Sequence, residues 1–594
     1  MKKIEFMDTS LRDGFQSVFG ARALTDDFIP AVEAGANAGI THMEAGGGAR
    51  FQALFMYCGE SAFDMMDRFR AAAGPKIKLQ TLARGINVVA LSAQPRDMIE
   101  LHARMFKKHG MTHIRNFDAL NDVRNLIYSG QCIKDAGLHH QVSITMMELP
   151  PGCSGAHDVP FYLKTLREIL DSGLPYDSIC FKDASGTSHP RKFYETIKAA
   201  RQLLGDDTLI WAHTHETAGV GVTQYTAAIE GGADGVDVAR TPLSGGTCQP
   251  DMLSLWHALK GTEFTLDIDV KKIMEANRVL QECLQDYFFP PEAQKVSSEV
   301  ILSPMPGGAL TANTMMMRDT GTLDLYPKVI EAMSECVARG GFGTSVTPVS
   351  QFYFQQAYAN VTQGPWKKIT DGYGKMVLGY FGRTPVAPDP EIVRIASEQM
   401  GKPVFKGDPV DELAPGIPKA KAMLEKEGLP VTDENIFIVG ALQTPGGNKG
   451  LDFLKGSRPI NVRKVSHSEA PAPAAAPASA EAVDFPGEYT VTVEGKAYQV
   501  KVEAATGAVQ SVQPAAAATQ KPVDTVAVKA KLQGIVSEIF FAVGDAVRQG
   551  ETVLILEAMK METPVVAPCD GKIASIDVEK GQVVKPEQLV ATIA

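Results

Sequence analysis

The sequence predicts a multidomain protein that combines a (β/α)₈ barrel, a mostly helical region, and a small all-β domain behind a flexible linker. Three observations predict this architecture. Short apolar runs alternate with amphipathic stretches over residues 1–265, longer helical periodicity follows over 266–465, and two similar β-rich segments end the chain after Pro- and Ala-rich text. A chain of 594 residues also exceeds what one hydrophobic core usually supports.

The barrel prediction rests on eight short β-branched runs, of which "KIEFMDTS" is the first and "GVDVAR" the last. Helical patterns such as "DDFIPAVEAGANAG" separate them. A strand followed by a helix implies parallel pairing, because a parallel partner needs a long crossover connection. Eight such units within residues 1–265 predict a TIM barrel, with a doubly wound open sheet as the alternative.

The rest of the chain divides by composition. Residues 266–465 read as helices, for example "DVKKIMEANRVLQECLQDY". Pro- and Ala-rich residues 466–483 and 512–525 predict extended linkers, and "EYTVTVEGKAYQVKV" predicts a β-hairpin within 484–511. Residues 526–594 contain an internal repeat in which Gly534 and Gly544 correspond to Gly571 and Gly581, which predicts a small pseudo-symmetric β-sandwich.

Composition narrows the possible partners and location. A formal net charge of −11 argues against nucleic acid as a partner. The eight Cys form no CxxC pair, the start of the chain lacks the apolar stretch of a signal peptide, and no apolar run approaches the roughly 18 residues of a spanning helix. We therefore expect a cytoplasmic protein that reaches a membrane only through a partner.

A lysine lies between the two halves of the repeat, in "EAMKMET". Lys560, flanked by Met559 and Met561, is predicted at the tip of a hairpin in a small domain on a tether, which suits a group that must travel between sites. The segment resembles the biotinyl domain of biotin-dependent carboxylases. That resemblance implies covalent biotin on Lys560, attached by a biotin protein ligase.

Reactive residues fall at the carboxyl ends of the predicted strands, where barrels of this type build their active sites. They are Asp13, Glu44, Arg84, Asp118, Lys182, His213 and His215. His213 and His215 are two residues apart on a strand, so both side chains face the same way. Together with the Asp13 carboxylate they form a mixed nitrogen and oxygen set that suits Zn²⁺ or Mn²⁺.

The barrel is similar to the carboxyltransferase domain of pyruvate carboxylases and of oxaloacetate decarboxylase α subunits. The motifs that carry the similarity, within about residues 4–460, are "RDxxQS" with Arg12, Asp13 and Gln16, then "RGxN", "FDAxND", "KDxSG" and "HxH". The resemblance implies a metal held by Asp13, His213, His215 and a carbamylated Lys182. Arg12 and Asp118 would support these ligands.

The same likeness implies roles around the substrate. Arg84 and Gln16 would bind the substrate, and Thr311, in "PGGALTANT", would relay a proton between biotin and substrate, with Lys182 completing the catalytic set. Each residue also has a structural alternative. Arg84 could form a salt bridge at the rim, Thr311 could cap a helix, and an unmodified Lys182 could pair with Asp183 or Asp118.

The activity implied by the resemblance is transfer of a carboxyl group between carboxybiotin and pyruvate through a metal-stabilised enolate, which interconverts oxaloacetate and pyruvate. The barrel begins almost at Met1, with no ATP-grasp region before it. We therefore expect a separate biotin carboxylase subunit, or membrane decarboxylase subunits, as partners. Family likeness also suggests a homo-oligomer.

Departures from the family pattern leave the acceptor open. Gly14 and Phe15 follow Asp13, Leu91 replaces a usual Tyr, and strand 5 ends in "MMELPPGCSG". One alternative is another 2-oxo acid such as 2-oxoglutarate. Because "DTSLRDG" and "HTH" also look like the 3-hydroxy-3-methylglutaryl-CoA lyase type, a lyase or synthase is a second alternative, and a non-enzymatic biotin carrier is a third.

Overall fold

The computed structural model describes residues 1–444, 447–465, 487–493, 496–502, 526–530, 534–558, 561–584 and 588–594. The predicted linkers at 466–483 and 512–525 lie outside the described residues.

Eight parallel strands form a closed barrel, as the sequence predicts. The strands are β1 (Lys2–Asp8), β2 (His42–Glu44), β3 (Lys78–Ala83), β4 (His113–Phe117), β5 (His139–Thr145), β6 (Ser178–Asp183), β7 (Leu209–Thr214) and β8 (Gly235–Val238). β1 closes the ring, because Asp8 lies opposite Met43 of β2 and opposite Val238 of β8. A short strand, β9 (Phe264–Leu266), extends β1 on its other edge.

Helices surround the barrel. They are α1 (Phe15–Phe19), α2 (Thr25–Asn37), α3 (Ala49–Tyr57), α4 (Ala62–Ala73), α5 (Arg96–Lys108), α6 (Arg124–Asp135), α7 (Val159–Asp171), α8 (Pro190–Leu204), α9 (Gly221–Glu230) and α10 (Met252–Ala258). In α7 the Asp158 carboxylate accepts the Phe161 N–H at the start of the helix. Tyr162, Leu166 and Ile169 then recur at helical spacing and are buried in the main core.

Alternation along the strands decides which side chains point into the barrel. In β7, Ile210 and Ala212 belong to the core between strands and helices, whereas Trp211 packs inside with Met7 and Cys180. Because strand side chains alternate, the residue two positions after Trp211 also points inward. That residue is His213.

The region after the barrel is mostly helical. Its helices are α11 (Val270–Cys283), α12 (Gly307–Asp319), α13 (Tyr326–Arg339), α14 (Val349–Gln363), α15 (Asp371–Val377), α16 (Pro390–Met400), α17 (Gly416–Lys426), α18 (Asp433–Ala441) and α19 (Lys449–Leu454), with β10 (Gln443–Thr444) and β11 (Gly447–Asn448) between the last two. Helices α12 to α16 share a second core with Leu82, Phe117 and Met147, which lie at the carboxyl ends of β3, β4 and β5. This core therefore covers the end of the barrel that carries the candidate site.

The C-terminal domain is a small β-sandwich. Its strands are β14 (Val526–Lys529), β15 (Gly534–Ile539), β16 (Ala546–Val547), β17 (Thr552–Ala558), β18 (Met561–Val566), β19 (Gly571–Ile576), β20 (Val583–Val584) and β21 (Leu589–Ile593), which form two four-stranded sheets. Val536, Leu554, Val565 and Val590 are buried in its core. Before it, β12 (Gly487–Val493) and β13 (Lys496–Val502) pair as an antiparallel hairpin.

None of the helices in the described part of the chain combines the length and the apolar character needed to cross a lipid bilayer.

Candidate active site and metal centre

Two histidines at the end of β7 are held with the same ring nitrogen turned away from the site. His213 Nδ1 lies 2.6 Å from Asp237 Oδ2, and His215 Nδ1 lies 2.7 Å from the Thr247 carbonyl oxygen. Since an ionised carboxylate and a carbonyl only accept hydrogen bonds, both Nδ1 atoms carry the proton. The Nε2 lone pairs are therefore available to a metal ion.

Asp13 completes a cluster with these histidines. It lies in the π-helical turn Ser10–Gly14 after β1, and its Oδ2 is 3.6 Å from His213 Nε2 and 3.4 Å from His215 Nε2. Burial opposes ionisation of Asp13, but Arg12, His215 and Lys182 outweigh it and hold the pKa of the carboxyl well below its usual value. In the described part of the chain, no other group of three or more His, Cys, Asp and Glu side chains is as closely placed for a metal.

Lys182 of β6 is the fourth residue that the sequence assigns to the metal. Its Nζ lies 2.7 Å from His213 Nε2, and the side chain is buried. Burial lowers the pKa of Lys182, and Arg115 and Arg12 lower it further against the opposing effect of Asp13. A larger neutral fraction makes the amine more nucleophilic, which favours reaction with CO₂ to give a carbamate.

Three positioning side chains were not singled out from the sequence. Gln249 Nε2 donates to Asp13 Oδ2 at 2.9 Å and lies 2.9 Å from His215 Nε2. Arg115 forms a buried ion pair with Asp237, the partner of His213. Arg115 and Asp237 did leave a signal, because each is a charged residue within an otherwise apolar strand.

Arg12 links the metal-ligand set to the substrate side of the cleft. It pairs with the buried Glu44, lies 3.3 Å from Asp13 Oδ1, and donates from Nη1 to Gln16 Oε1 at 3.1 Å. The side chain is 1% exposed, so these contacts fix its orientation. Arg12 thereby holds Gln16 beside Asp13.

Arg84 carries a buried charge at the end of β3. Its Nη1 donates to the carbonyl oxygens of Val89 at 2.8 Å and Ala90 at 3.0 Å, and among the described residues no carboxylate pairs with it. Burial, and to a smaller extent Arg12, lowers the pKa of Arg84 to about 9, so the guanidinium stays charged at neutral pH. A charge in this state is a ready partner for a ligand carboxylate.

These groups open into one cleft. Asp13, Lys182 and His215 line one part, and Gln16 and Arg84 line another. The remaining walls include Leu82, Phe117, Ala184, Pro306, Gly308 and Val346. The arrangement suits a small carboxylate that carries a second oxygen within reach of the metal ligands.

Thr311 and Asp118 lie at the same end of the barrel, and among the described residues neither hydrogen-bonds to the metal-ligand set. The Thr311 hydroxyl donates to the Ser17 carbonyl oxygen at 2.5 Å. The Asp118 carboxylate accepts the N–H groups of Leu120 and Asp122, and burial raises its pKa to about 7.

The proposed biotin position lies at the β17–β18 hairpin. These strands remain paired as far as Ala558 opposite Met561. Met559 and Lys560 lie outside the described residues, and the side chain of Met561 is not described.

Comparison with protein families gives three matches along the chain. Residues 104–280 match an HMGL-like family, residues 300–501 match a conserved carboxylase domain, and residues 526–593 match a family of biotin-requiring enzymes. The matches therefore cover the barrel, the helical region and the C-terminal sandwich.

Individual proteins of known name are similar over most of the chain. The B-type subunit of pyruvate carboxylase from Methanocaldococcus jannaschii is 30% identical over 570 residues, which cover 94% of each chain. The 2-oxoglutarate carboxylase large subunit of Hydrogenobacter thermophilus is 27% identical, covering 95% of this chain and 91% of its own length. The carboxyl transferase domain of Rhizobium etli pyruvate carboxylase, solved with pyruvate and biocytin, aligns with a TM-score of 0.69 at 26% identity, covering 77% of this chain and 78% of that one.

Proposed function

The chain belongs to the biotin-dependent carboxyltransferase family that includes the B-type subunit of pyruvate carboxylase, and from this premise we propose that it moves a carboxyl group between biotin on Lys560 and the methyl carbon of pyruvate. The reaction interconverts pyruvate and oxaloacetate. One observation carries the proposal: a buried Arg84 guanidinium opens into the same cleft as Asp13 and His215.

The donor set fits Zn²⁺ or Mn²⁺. Asp13 offers an oxygen, and hydrogen bonds to Asp237 and Thr247 leave the Nε2 atoms of His213 and His215 free. Lys182 would add an oxygen after carbamylation, because a protonated amine cannot be a ligand. Bound there, the metal would supply a Lewis acid for the 2-oxo group and the enolate oxygen.

Arg84 and Gln16 would hold the substrate. The Val89 and Ala90 carbonyls fix the Arg84 fork, whose remaining N–H groups would bind the carboxylate of the 2-oxo acid. Arg12 orients the Gln16 amide, which would donate to a substrate oxygen. Because Asp13 is charged at neutral pH, the ligand set keeps its negative charge when the substrate arrives.

Thr311 is proposed to relay the proton. In the carboxylation direction, the pyruvate methyl group loses a proton, and the Thr311 hydroxyl passes it to the ureido nitrogen as the nitrogen–carbon bond to the carboxyl group breaks. The enolate carbon then bonds to the released CO₂. The hydrogen bond to the Ser17 carbonyl supports this role, because it orients a hydroxyl that neighbours Gln16.

Partners follow from the family. The similar methanogen proteins are named as subunits of a pyruvate carboxylase, which supports a partner chain that we propose to be a separate biotin carboxylase or a set of membrane decarboxylase subunits. A biotin protein ligase would load Lys560, and the assembly would be a homo-oligomer. Eight free cysteines support a cytoplasmic location, where thiols stay reduced.

Pyruvate is favoured over 2-oxoglutarate by the charges that line the cleft. Arg12 is neutralised by Glu44 and Asp13, and Lys182 contacts His213. Among the described residues that line the cleft, Arg84 is therefore the one cation without such a partner, which suits one substrate carboxylate. A second carboxylate would meet apolar wall instead.

A lyase of the 3-hydroxy-3-methylglutaryl-CoA type would explain the HMGL-like match to residues 104–280. The match of residues 526–593 to biotin-requiring enzymes favours carboxyl transfer, because a lyase of that type has no use for biotin.

The test is pyruvate formation from oxaloacetate by the full-length, biotinylated and metal-loaded protein, with and without avidin. We expect pyruvate formation that avidin abolishes, and slower turnover of oxalosuccinate, the corresponding substrate for 2-oxoglutarate chemistry. Lys560→Ala protein measures the background decarboxylation that free metal causes. Pyruvate formation equal in the presence of avidin, or equal in the Lys560→Ala protein, would refute the proposal.

A further inference from the structure

Arg22, which follows α1, carries a guanidinium group without a polar partner. Its central carbon lies 4.1 Å from the centre of the Tyr57 ring. Nε and Nη1 are shielded from solvent, and in the described part of the chain neither has a hydrogen-bond partner. Burial lowers the pKa of Arg22, so the site holds a charge whose hydration is partly lost and not replaced.

A second guanidinium lies close by. Arg463 pairs with Asp319, whose two carboxylate oxygens both contact Nη2. The field of Arg463 further lowers the pKa of Arg22, whereas that of Asp319 raises it. One carboxylate therefore serves two guanidinium groups, and a net positive charge remains.

Both arginines line the same small pocket. Its other walls are Phe19, Phe288 and Met315. Phe19 ends α1 and Met315 lies in α12, so the pocket lies between two helices that also contribute Gln16 and Gly308 to the cleft. Its lining residues are distinct from those of the cleft.

We propose that this pocket is a binding site for a small oxyanion, either a phosphate or a carboxylate. Planar guanidinium groups match the oxygens of both anions in a two-point contact. An anion there would satisfy Nε and Nη1 of Arg22 and neutralise the surplus charge. The apolar walls leave room for a short hydrocarbon group, so a small carboxylate with a short carbon chain is included in the ligand class.

A bound anion would join α1 to α12 from the side opposite the cleft. The two helices are already linked where the Thr311 hydroxyl donates to the Ser17 carbonyl. Occupancy of the pocket would therefore steady the helices that carry Gln16 and Thr311. The binding itself does not depend on carboxyl transfer, so the two proposals can fail separately.

The test is calorimetric titration of the full-length protein with inorganic phosphate and, separately, with acetate. Titrations use an Arg84→Met background, which removes the guanidinium that could bind anions in the cleft. We expect saturable binding of at least one probe, and the tighter one identifies the ligand class. Arg22→Met should weaken it by at least about tenfold, because the unpartnered donors are lost.

Three further variants sharpen the result. Asp319→Asn frees Arg463 and should tighten binding, whereas Arg463→Met should weaken it. Arg96→Met is the matched control, since Arg96 also lies over a tyrosine ring, 4.8 Å from the centre of Tyr128, but pairs with Asp411 at 2.7 Å. Failure of both probes to bind, or equal affinity in the Arg22→Met and Arg463→Met proteins and the background protein, would overturn the proposal.

Discussion

At the scale of single residues, the candidate site depends on charges that burial makes available. Arg84 is 4% exposed and makes hydrogen bonds to the carbonyls of Val89 and Ala90. A buried guanidinium that meets no described carboxylate has a desolvation cost that a bound carboxylate offsets. Substrate binding and the stability of this loop are therefore connected.

Replacement of Arg84 by Lys tests that assignment. Lysine keeps the positive charge but loses the planar fork, so KM for oxaloacetate should rise about ten- to hundredfold, which corresponds to roughly 1–3 kcal/mol. Steady-state kinetics with metal-loaded protein measure the effect. The control is Arg124→Lys, which alters a partly exposed rim arginine paired with Asp122; a KM that changes equally in both variants would contradict the role of Arg84.

Asp237→Asn tests the orientation of His213. An asparagine amide that donates towards Nδ1 would force the proton onto Nε2, and the apparent metal affinity should fall about ten- to hundredfold. Co²⁺ titration followed by visible absorption reports both affinity and coordination geometry. Asp122→Asn, which removes another buried carboxylate paired with an arginine, is the control; unchanged Co²⁺ affinity and spectrum in the Asp237→Asn protein would contradict the positioning role.

At the scale of elements, the start of α12 is packed against the metal site with no spare room. A Cβ on Gly307 would lie 1.7 Å from the Thr247 carbonyl oxygen and 3.0 Å from His215 Nδ1. The same carbonyl accepts the His215 Nδ1 hydrogen. The position of α12 and the orientation of His215 are therefore set together.

We expect Gly307→Ala to lower metal occupancy sharply while the barrel remains folded, because either α12 or the Thr247 loop must move. Metal analysis of the purified protein measures occupancy, and far-UV circular dichroism measures folding. Gly308→Ala is the neighbouring control, since its Cβ would lie 3.1 Å from a flexible atom, Gln16 Cγ. Equal metal content in the two variants would argue against the coupling of α12 to His215.

The contact between α5 and α18 should make stability depend on pH. His102 of α5 packs against Phe106 and Phe437, and burial lowers its pKa from 6.5 to about 3. Below pH 6.5 the unfolded chain binds a proton that the folded chain does not, so this contribution is present above pH 6.5 and is lost as the pH falls.

His102→Leu should therefore reduce the loss of unfolding free energy between about pH 7 and about pH 5 by about 2 kcal/mol. Urea unfolding at both pH values measures the difference. His257→Leu, which replaces an exposed histidine of α10, should keep the wild-type loss. An equal loss in the wild-type and His102→Leu proteins would contradict the prediction.

Strand positions could be read from the sequence because each depends on a local pattern. The alternation in "LIWAHT" places Trp211 and His213 inside the barrel without knowledge of any other element. Gln249 and Thr247 could not be found this way, because their contacts with His215 depend on how two loops converge. The direction of the Thr311 hydroxyl likewise depends on how α12 packs against α1.

At the scale of the whole molecule, the account requires two chemically independent sites in one chain. The metal ligands come from β1, β6 and β7 and the turns after them, whereas the proposed biotin lysine belongs to a separate sandwich whose own core includes Val536 and Val590. The internal repeat predicted that sandwich, because the repeated Gly and Val positions are local features. Loss of one site should therefore leave the other intact.

The most direct measurement is transfer of label from [4-¹⁴C]oxaloacetate to the biotinylated, metal-loaded protein in a single turnover, followed by rapid gel filtration. We predict label on the wild-type protein, no label on Lys560→Ala protein that still holds metal, and no label on His213→Ala protein that still holds biotin. Pyruvate release without protein-bound label, or equal labelling of the Lys560→Ala protein, would contradict carboxyl transfer through biotin at this metal site.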